Sequence, residues 1–302
     1  MLEMFKFNRQ GGKDGKAPKP EKPPKPKKAK PAKPALVLPP GIIGVDEAGR
    51  GPVMGPLVVV ALRVQDDTIL RELEVRDSKA LTPARREELY ERIKLASKFQ
   101  VEIVTAEEID ELRKSSNLNE IELDLFAGAI GKLINEGDKI FVDAADVREK
   151  YFGDQVALRL KQGTKPCNNF EIVSKHKADA IYPVVSAASI IAKVTRDRIV
   201  RTIEKELRKT LDKPLGSGYP SDVVTINFME NWIKTQGDLP PHTRRSWDTS
   251  QHLLAIAKTL SLDQFGIWTD AAGNPKPREK EEPDEDYKRD DAEQEGSSEE
   301  EE

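Results

Sequence analysis

The segment GVDEAGRGPVMGPL, residues 44–57, sets Asp46 and Glu47 side by side at the end of an apolar run and follows them with Gly49, Gly51 and Gly55. The run that leads into it, GIIGVDEA, predicts a buried strand, and GPLVVVALRV behind it predicts a second. A short glycine turn cannot make a parallel crossover, so these two strands are expected to be antiparallel. Two acids at the end of a buried strand need a reason, and so does a turn stripped of side chains.

Outward from this hairpin, strands and helices alternate. LTPARREELYERIKLASK predicts a helix with Thr82 as its cap, Pro83 early, and Leu89, Ile93 and Ala96 at apolar positions. FQVEIVTA alternates as a half-buried strand does, and AEEIDELRK predicts a short helix. In LNEIELDLFAGAIGKLI, residues Ile121, Leu125, Ala129 and Leu133 recur every four positions and predict one apolar helix face, with Gly137 ending the unit. KIFVDAADV predicts a strand running into an acidic loop, and NFEIVSK another strand. One long helix is expected over residues 178–210, then a helix starting near Ser221 and a last one in TSQHLLAIAKTLSLD. Elements interleaved in this way define an α/β domain, here with a mixed sheet.

The ends of the chain differ from its middle. Of 302 residues, 37% are hydrophobic, enough for a core, yet 34% are charged and 21 are proline, an excess concentrated in the termini. Residues 1–40 form a Lys/Pro-rich basic extension and residues 275–302 an acidic tail; neither can offset the entropy of ordering by apolar burial, and both are expected to be disordered. The domain is therefore placed at residues 41–274. The net charge of −4 hides this polarity. The lysines of residues 13–33 could release counterions from nucleic acid, touch an anionic membrane, or belong to a proline-stiffened linker. The acidic tail reads as solubilising or self-masking. Cys167 is the sole cysteine, which excludes an intrachain disulfide and a thiolate metal cluster within one chain. No apolar run approaches the ~18 residues of a membrane span, no secretory stretch opens the chain, and a cytoplasmic monomer is expected.

The acids suggest a site. Asp46 and Glu47 end one strand, Asp143 ends another, and Asp179 precedes a helix; strand ends can gather such groups at one sheet edge. Clustered carboxylates repel, and a divalent cation relieves that repulsion. Mg²⁺ and Mn²⁺ prefer oxygen ligands, whereas His176, His242 and His252 are too scattered for a zinc triad. Simpler roles remain for each acid: Asp46 accepting turn amides, Glu47 facing solvent, Asp179 capping a helix, and Asp146 competing with Asp143. Gly49 and Gly51 around Arg50 would let a nucleic-acid strand approach the backbone, or serve only the turn. GRGPVMGP lacks the Lys-Ser/Thr ending of a phosphate loop and the glycine spacing of a dinucleotide site.

Joined with DSKALTPARRE, FVDAADV, KADAIYPVVSAASIIAKVTRDR, GSGYPSD and PPHTRRSWDT, in that order over about residues 42–249, the segment resembles type 2 ribonuclease H, in particular its archaeal branch. The resemblance implies a ribonuclease H-like mixed sheet flanked by helices, with a helical C-terminal portion lining the substrate groove. It implies an endonuclease of DNA replication and repair that hydrolyses the RNA strand of RNA–DNA hybrids and cuts 5′ to ribonucleotides embedded in duplex DNA, leaving 5′-phosphate and 3′-hydroxyl ends. Asp46, Glu47, Asp143 and Asp179 become the catalytic acids and the ligands of Mg²⁺ or Mn²⁺, with two ions in the substrate complex. Gly49, Arg50 and Gly51 would inspect the 2′-hydroxyl, Tyr219 would pack on the neighbouring sugar, and Lys79, Ser189 and Lys193 would meet phosphates. Arg196, Arg198, Arg244 and Arg245 could widen the positive footprint, and Trp247 is expected to pack the C-terminal part. The chain departs from archaeal relatives in reading DAADV for DAVDV, an apolar change between two acids, and in its N-terminal extension. A catalytically silent hybrid-binding protein and a junction resolvase are the rival readings. A replication clamp is a possible partner; DQFGIWTD could dock elsewhere, although a core segment is the expectation.

Overall fold

The computed structural model describes residues 39–75, 78, 81–163 and 166–264, with the paired segments 267–269 and 275–277. Residues 1–38 of the basic extension, most of the acidic tail and Lys79 lie outside the described residues.

The two strands around the glycine turn are β1 (Ile42–Ala48) and β2 (Leu57–Val64), and they pair antiparallel with Asp46 opposite Val60. After α1 (Thr68–Glu72) and α2 (Pro83–Ala96), β3 (Lys98–Val104) adds antiparallel to β2. Thr82 accepts the Arg85 N–H at the start of α2, with Pro83 at the first helical position, as expected. Next come α3 (Ala106–Leu112) and α4 (Leu118–Gly131), and then β4 (Lys139–Asp143), which lies parallel to β1 on its other side. Finally α5 (Glu149–Gln162) leads to β5 (Glu171–Lys175), parallel to β4. The sheet order is β3-β2-β1-β4-β5, mixed as the sequence predicts, with β1 in the centre.

Period-two alternation sorts the side chains of β2 between two cores. Val58, Val60, Leu62 and Val64 pack with Leu89 and Ile93 of α2 and with Val184, Ala188 and Ile191 of α7 (Pro183–Leu207). Val59 and Ala61 join Ile43 and Val45 against Phe126 of α4 and Phe152 and Val156 of α5. Gly44 has a specific task on the α7 side. A Cβ there would lie 2.3 Å from the Val184 carbonyl, so only glycine lets α7 rest directly on the backbone of β1. The C-terminal helices α8 (Val223–Gln236) and α9 (Asp248–Gln264) close a third core with Val53, Met54, Val200 and Ile203, under the glycine turn. Trp247 packs here partly buried, as expected.

Two expectations change. The long helix over 178–210 is broken, because Pro183 drives Tyr182 into an extended conformation (φ −112, ψ 116). Asp179 therefore sits on a separate short turn, α6 (Ala178–Ile181). In α4 the buried face is Glu122, Leu123, Phe126, Ala129 and Ile130 with Ile121; Leu125 is only partly buried and Leu133 lies beyond the helix, which stops at Gly131 rather than Gly137. Helix α8 starts at Val223 with Asp222 as its cap, beside Ser221 as expected. Beyond α9, β6 (Ile267–Thr269) pairs antiparallel with β7 (Pro275–Pro277). Among the described residues no helix is long and apolar enough to cross a membrane.

Candidate metal centre and nucleic-acid interface

Asp46, Asp143 and Asp179 each offer a carboxylate oxygen within 4.8 Å of the others. Strand alternation explains the grouping. Asp46 shares the α7 face of β1 with Gly44, and Asp143 shares that face of β4 with Phe141, while the break at Pro183 leaves Asp179 beside them. Glu47, the next residue along β1, starts from the opposite face and stands outside this tight trio. It is still electrostatically part of the site, since burial first and the Asp143 charge second raise its pKa to about 7. Burial, Glu47 and Asp143 likewise push Asp46 well above the ordinary carboxylate range. The Oε2 of Glu47 is buried without a hydrogen-bond partner. Crowded, desolvated acids and an orphaned oxygen suit a hard divalent cation, and this donor set could coordinate one.

Behind the trio, the Ser189 hydroxyl of α7 hydrogen-bonds to Asp46 and lies 2.9 Å from the Ser78 hydroxyl. Ala178 N–H donates to Asp143 at 3.2 Å, and Glu47 N–H to Asp46 at 2.7 Å. Ser189, assigned to phosphate from the sequence, is thus 95% buried and braces a carboxylate. Lys193, also assigned to phosphate, is half-buried and donates to Asp197 at 2.7 Å.

The turn after β1 is held from beneath. Gly49 has φ +95, and a Cβ there would meet Arg196 and the Pro56 carbonyl at 2.5 Å, so its glycine is structural. Gly51 is different: it is exposed, and its Cβ would meet only the Tyr219 ring, at 3.8 Å. Tyr219 therefore flanks Gly51, carried on a loop whose Gly218 carbonyl accepts the Val53 and Met54 amides. Arg50 reaches over to α4, donating to Asn119 at 2.7 Å and pairing with the fully buried Glu122. Asn119 in turn donates to Asp146 at 3.0 Å, which gives that acid a role away from the trio.

The arginines do not form the positive footprint that their sequence grouping suggests. Arg196 and Arg244 are fully buried, because the carbonyls of the glycine turn need donors and guanidinium groups supply several at once. Arg198 pairs with Glu87 and Glu91, and Arg245 with Asp238. Sequence reasoning missed Asn119 and Glu122. Only Glu122 left a signal, an acid set within the apolar run IELDLF.

A central mixed sheet with acids at its strand ends and a helical C-terminal region is the ribonuclease H-like fold. The ribonuclease HII family model matches residues 43–250. Ribonuclease HII of Pyrococcus abyssi is 43% identical over 229 residues, 74% of this chain and 96% of the relative. The crystal structure of the ribonuclease H2 from Pyrococcus horikoshii OT3 superimposes with a TM-score of 0.63 at 39% identity, covering 72% of this chain and 99% of that one. The PCNA:RNase HII complex from Archaeoglobus fulgidus gives a TM-score of 0.60 at 36% identity, over 69% and 95%. The chain belongs to the ribonuclease HII family, and its homology and its carboxylate trio support endonuclease activity of that type.

Proposed function

We propose that this protein hydrolyses the RNA strand of RNA–DNA hybrids and cuts 5′ to ribonucleotides embedded in duplex DNA, leaving 5′-phosphate and 3′-hydroxyl ends. The observation that carries this reading is the Asp46–Asp143–Asp179 trio, two of its acids buried and Asp143 partly so, lying beside a glycine turn in a ribonuclease HII chain. Asp46, Asp143 and Asp179, with Glu47 adjoining, would hold Mg²⁺ or Mn²⁺. Bound there, such ions lower the pKa of the attacking water and offset charge on the leaving 3′ oxygen, two ions sharing the tasks. The Ser189 hydrogen bond aims the Asp46 carboxylate and works against the rise that burial imposes on its pKa. Gly51 admits the sugar to the backbone, Tyr219 packs on the sugar next to it, and Arg50, clamped by Glu122 and Asn119, holds the turn in place. Lys79 and Lys193 contact the flanking phosphates, Lys193 by exchanging Asp197 for phosphate. A sliding-clamp partner is supported by the clamp complex of the Archaeoglobus relative.

The test uses full-length protein with Mg²⁺, with Mn²⁺ and with chelator, on three duplexes: one embedded ribonucleotide, a full hybrid, and plain DNA. Metal-dependent cutting of the first two is expected. Equal cutting of plain DNA would reject the selectivity, and tight hybrid binding without cleavage would favour a silent binding protein.

A further inference from the structure

We infer that Arg244, which lies beneath the glycine turn and touches no surface, sets the sugar selectivity of the site by aiming two backbone donors at the substrate. This rests on the ribonucleotide-directed reading above. The Arg244 guanidinium is fully buried and donates to three carbonyls of one segment: Gly49 at 2.5 Å, Arg50 at 2.8 Å and Gly55 at 3.1 Å. All peptide bonds of the described chain are trans. In a trans peptide plane the C=O and the following N–H point in opposite directions. A Gly49 carbonyl turned down to Arg244 therefore turns the Arg50 N–H up, and the Arg50 carbonyl does the same for the Gly51 N–H.

Two consecutive amides pointing the same way form a small concavity for an acceptor oxygen. They open where the chain carries no side chain at Gly51, beside the Tyr219 ring. A ribose 2′-oxygen there would satisfy both donors, and a deoxyribose would cover them and leave them unpaired. The selectivity is thus written in peptide orientation, and Arg244 enforces the orientation.

Arginine is suited to this role as lysine is not. A planar fork reaches three fixed acceptors at once, whereas an ammonium on a flexible stem cannot hold them in one plane. The arrangement is also costly to fold. Burial and the adjacent Arg196 push the Arg244 pKa down to about 9, and Arg196 itself keeps a buried Nε without a partner below Gly49. Two buried like charges are a poor way to stabilise a turn, and a good way to fix its peptide planes.

The test measures single-turnover cleavage by full-length wild type and Arg244→Lys in Mg²⁺, on a duplex with one ribonucleotide and on a matched duplex whose sugar carries 2′-fluorine, a weak acceptor. The wild-type preference for the hydroxyl should narrow at least about tenfold in the variant, with unchanged circular dichroism and Mn²⁺ affinity. A role in stability alone would slow both substrates equally, and an unchanged ratio in folded Arg244→Lys overturns the inference. Should the variant not fold, wild-type protein in Ca²⁺ decides by amide hydrogen exchange. The Arg50 and Gly51 amides should gain protection with the ribonucleotide duplex and not with the 2′-fluoro duplex; equal protection by both, or by neither, overturns it. Wild type that cuts neither duplex refutes the proposed activity instead.

Discussion

Asp46 is an acid whose ionisation burial, Glu47 and Asp143 all resist, so its charge serves something other than folding. Replacing it by asparagine should cut cleavage at least about a hundredfold. The same change should raise the stability of the metal-free protein at pH 8 by on the order of 1 kcal/mol, measured by thermal unfolding in chelator. A variant both inactive and less stable would show that Asp46 is a structural acid. Glu47 gives a pH window for the metal-free wild type. A carboxyl held at about 7 in the folded state, against an ordinary 4.5, favours folding fully below 4.5 and loses that contribution as pH rises through 7. Midpoints of urea unfolding in chelator should therefore fall between pH 5 and 8, and Mn²⁺ should restore them at the upper end; a flat profile would remove Glu47 from the buried cluster. These acids were legible because each follows an apolar strand run. Glu122 and Arg244 were not, because their partners, Arg50 and the carbonyls of Gly49, Arg50 and Gly55, lie far away in sequence.

The approach of one helix to one strand decides whether the acids meet. At Gly44 the backbone of β1 touches that of α7, and this sets the depth at which Asp46 faces Ser189 and the α6 turn. Gly44→Ala should push the helix outward, costing about 1–3 kcal/mol by urea denaturation and weakening Mn²⁺ binding by calorimetry. Unchanged metal affinity would mean the trio tolerates the shift. The antiparallel pairing of β1 with β2, the mixed sheet and most helix positions could be read from alternation, turn length and capping residues, since those signals are local. The strand order could not, because it is set by contacts distant in sequence. The two helix errors have physical causes. Apolar residues taken strictly every four positions drift around a helix of 3.6 residues per turn, so a stripe of spacing four overlooks Leu123, Phe126 and Ile130, which follow one another at spacings of three and four and join the core. Pro183 sits inside a helical pattern, but the restriction it imposes falls on Tyr182, and that break frees Asp179.

At the scale of the molecule, the charges near the site are mostly committed to the protein itself. Arg196 and Arg244 lie under the turn, while Arg198, Arg245 and Lys193 are paired with carboxylates. With these five groups so occupied, counterion release and long-range attraction to a polyanion would gain from a basic segment elsewhere in the chain. The chain has one: residues 13–33 hold nine lysines against Asp14 and Glu21, and at the far end the acidic tail offers a competing polyanion. Removing residues 1–38 should make the slope of log affinity against log salt shallower by about 3 or more, at roughly 0.9 per phosphate neutralised. Cleavage at low salt should change little, because the carboxylate trio and glycine turn are intact. Deleting residues 278–302 should act oppositely and tighten binding, most at low ionic strength, where attraction between the tails is least screened. Fluorescence anisotropy on a duplex with one ribonucleotide, read across a salt series, separates the possibilities. If the slope survives loss of the extension, the phosphates are met by the folded domain alone, with Lys193 giving up Asp197 to do so. If the slope falls but the acidic-tail deletion has no effect, the two ends do not compete, and the basic tract is a substrate clamp free of self-masking.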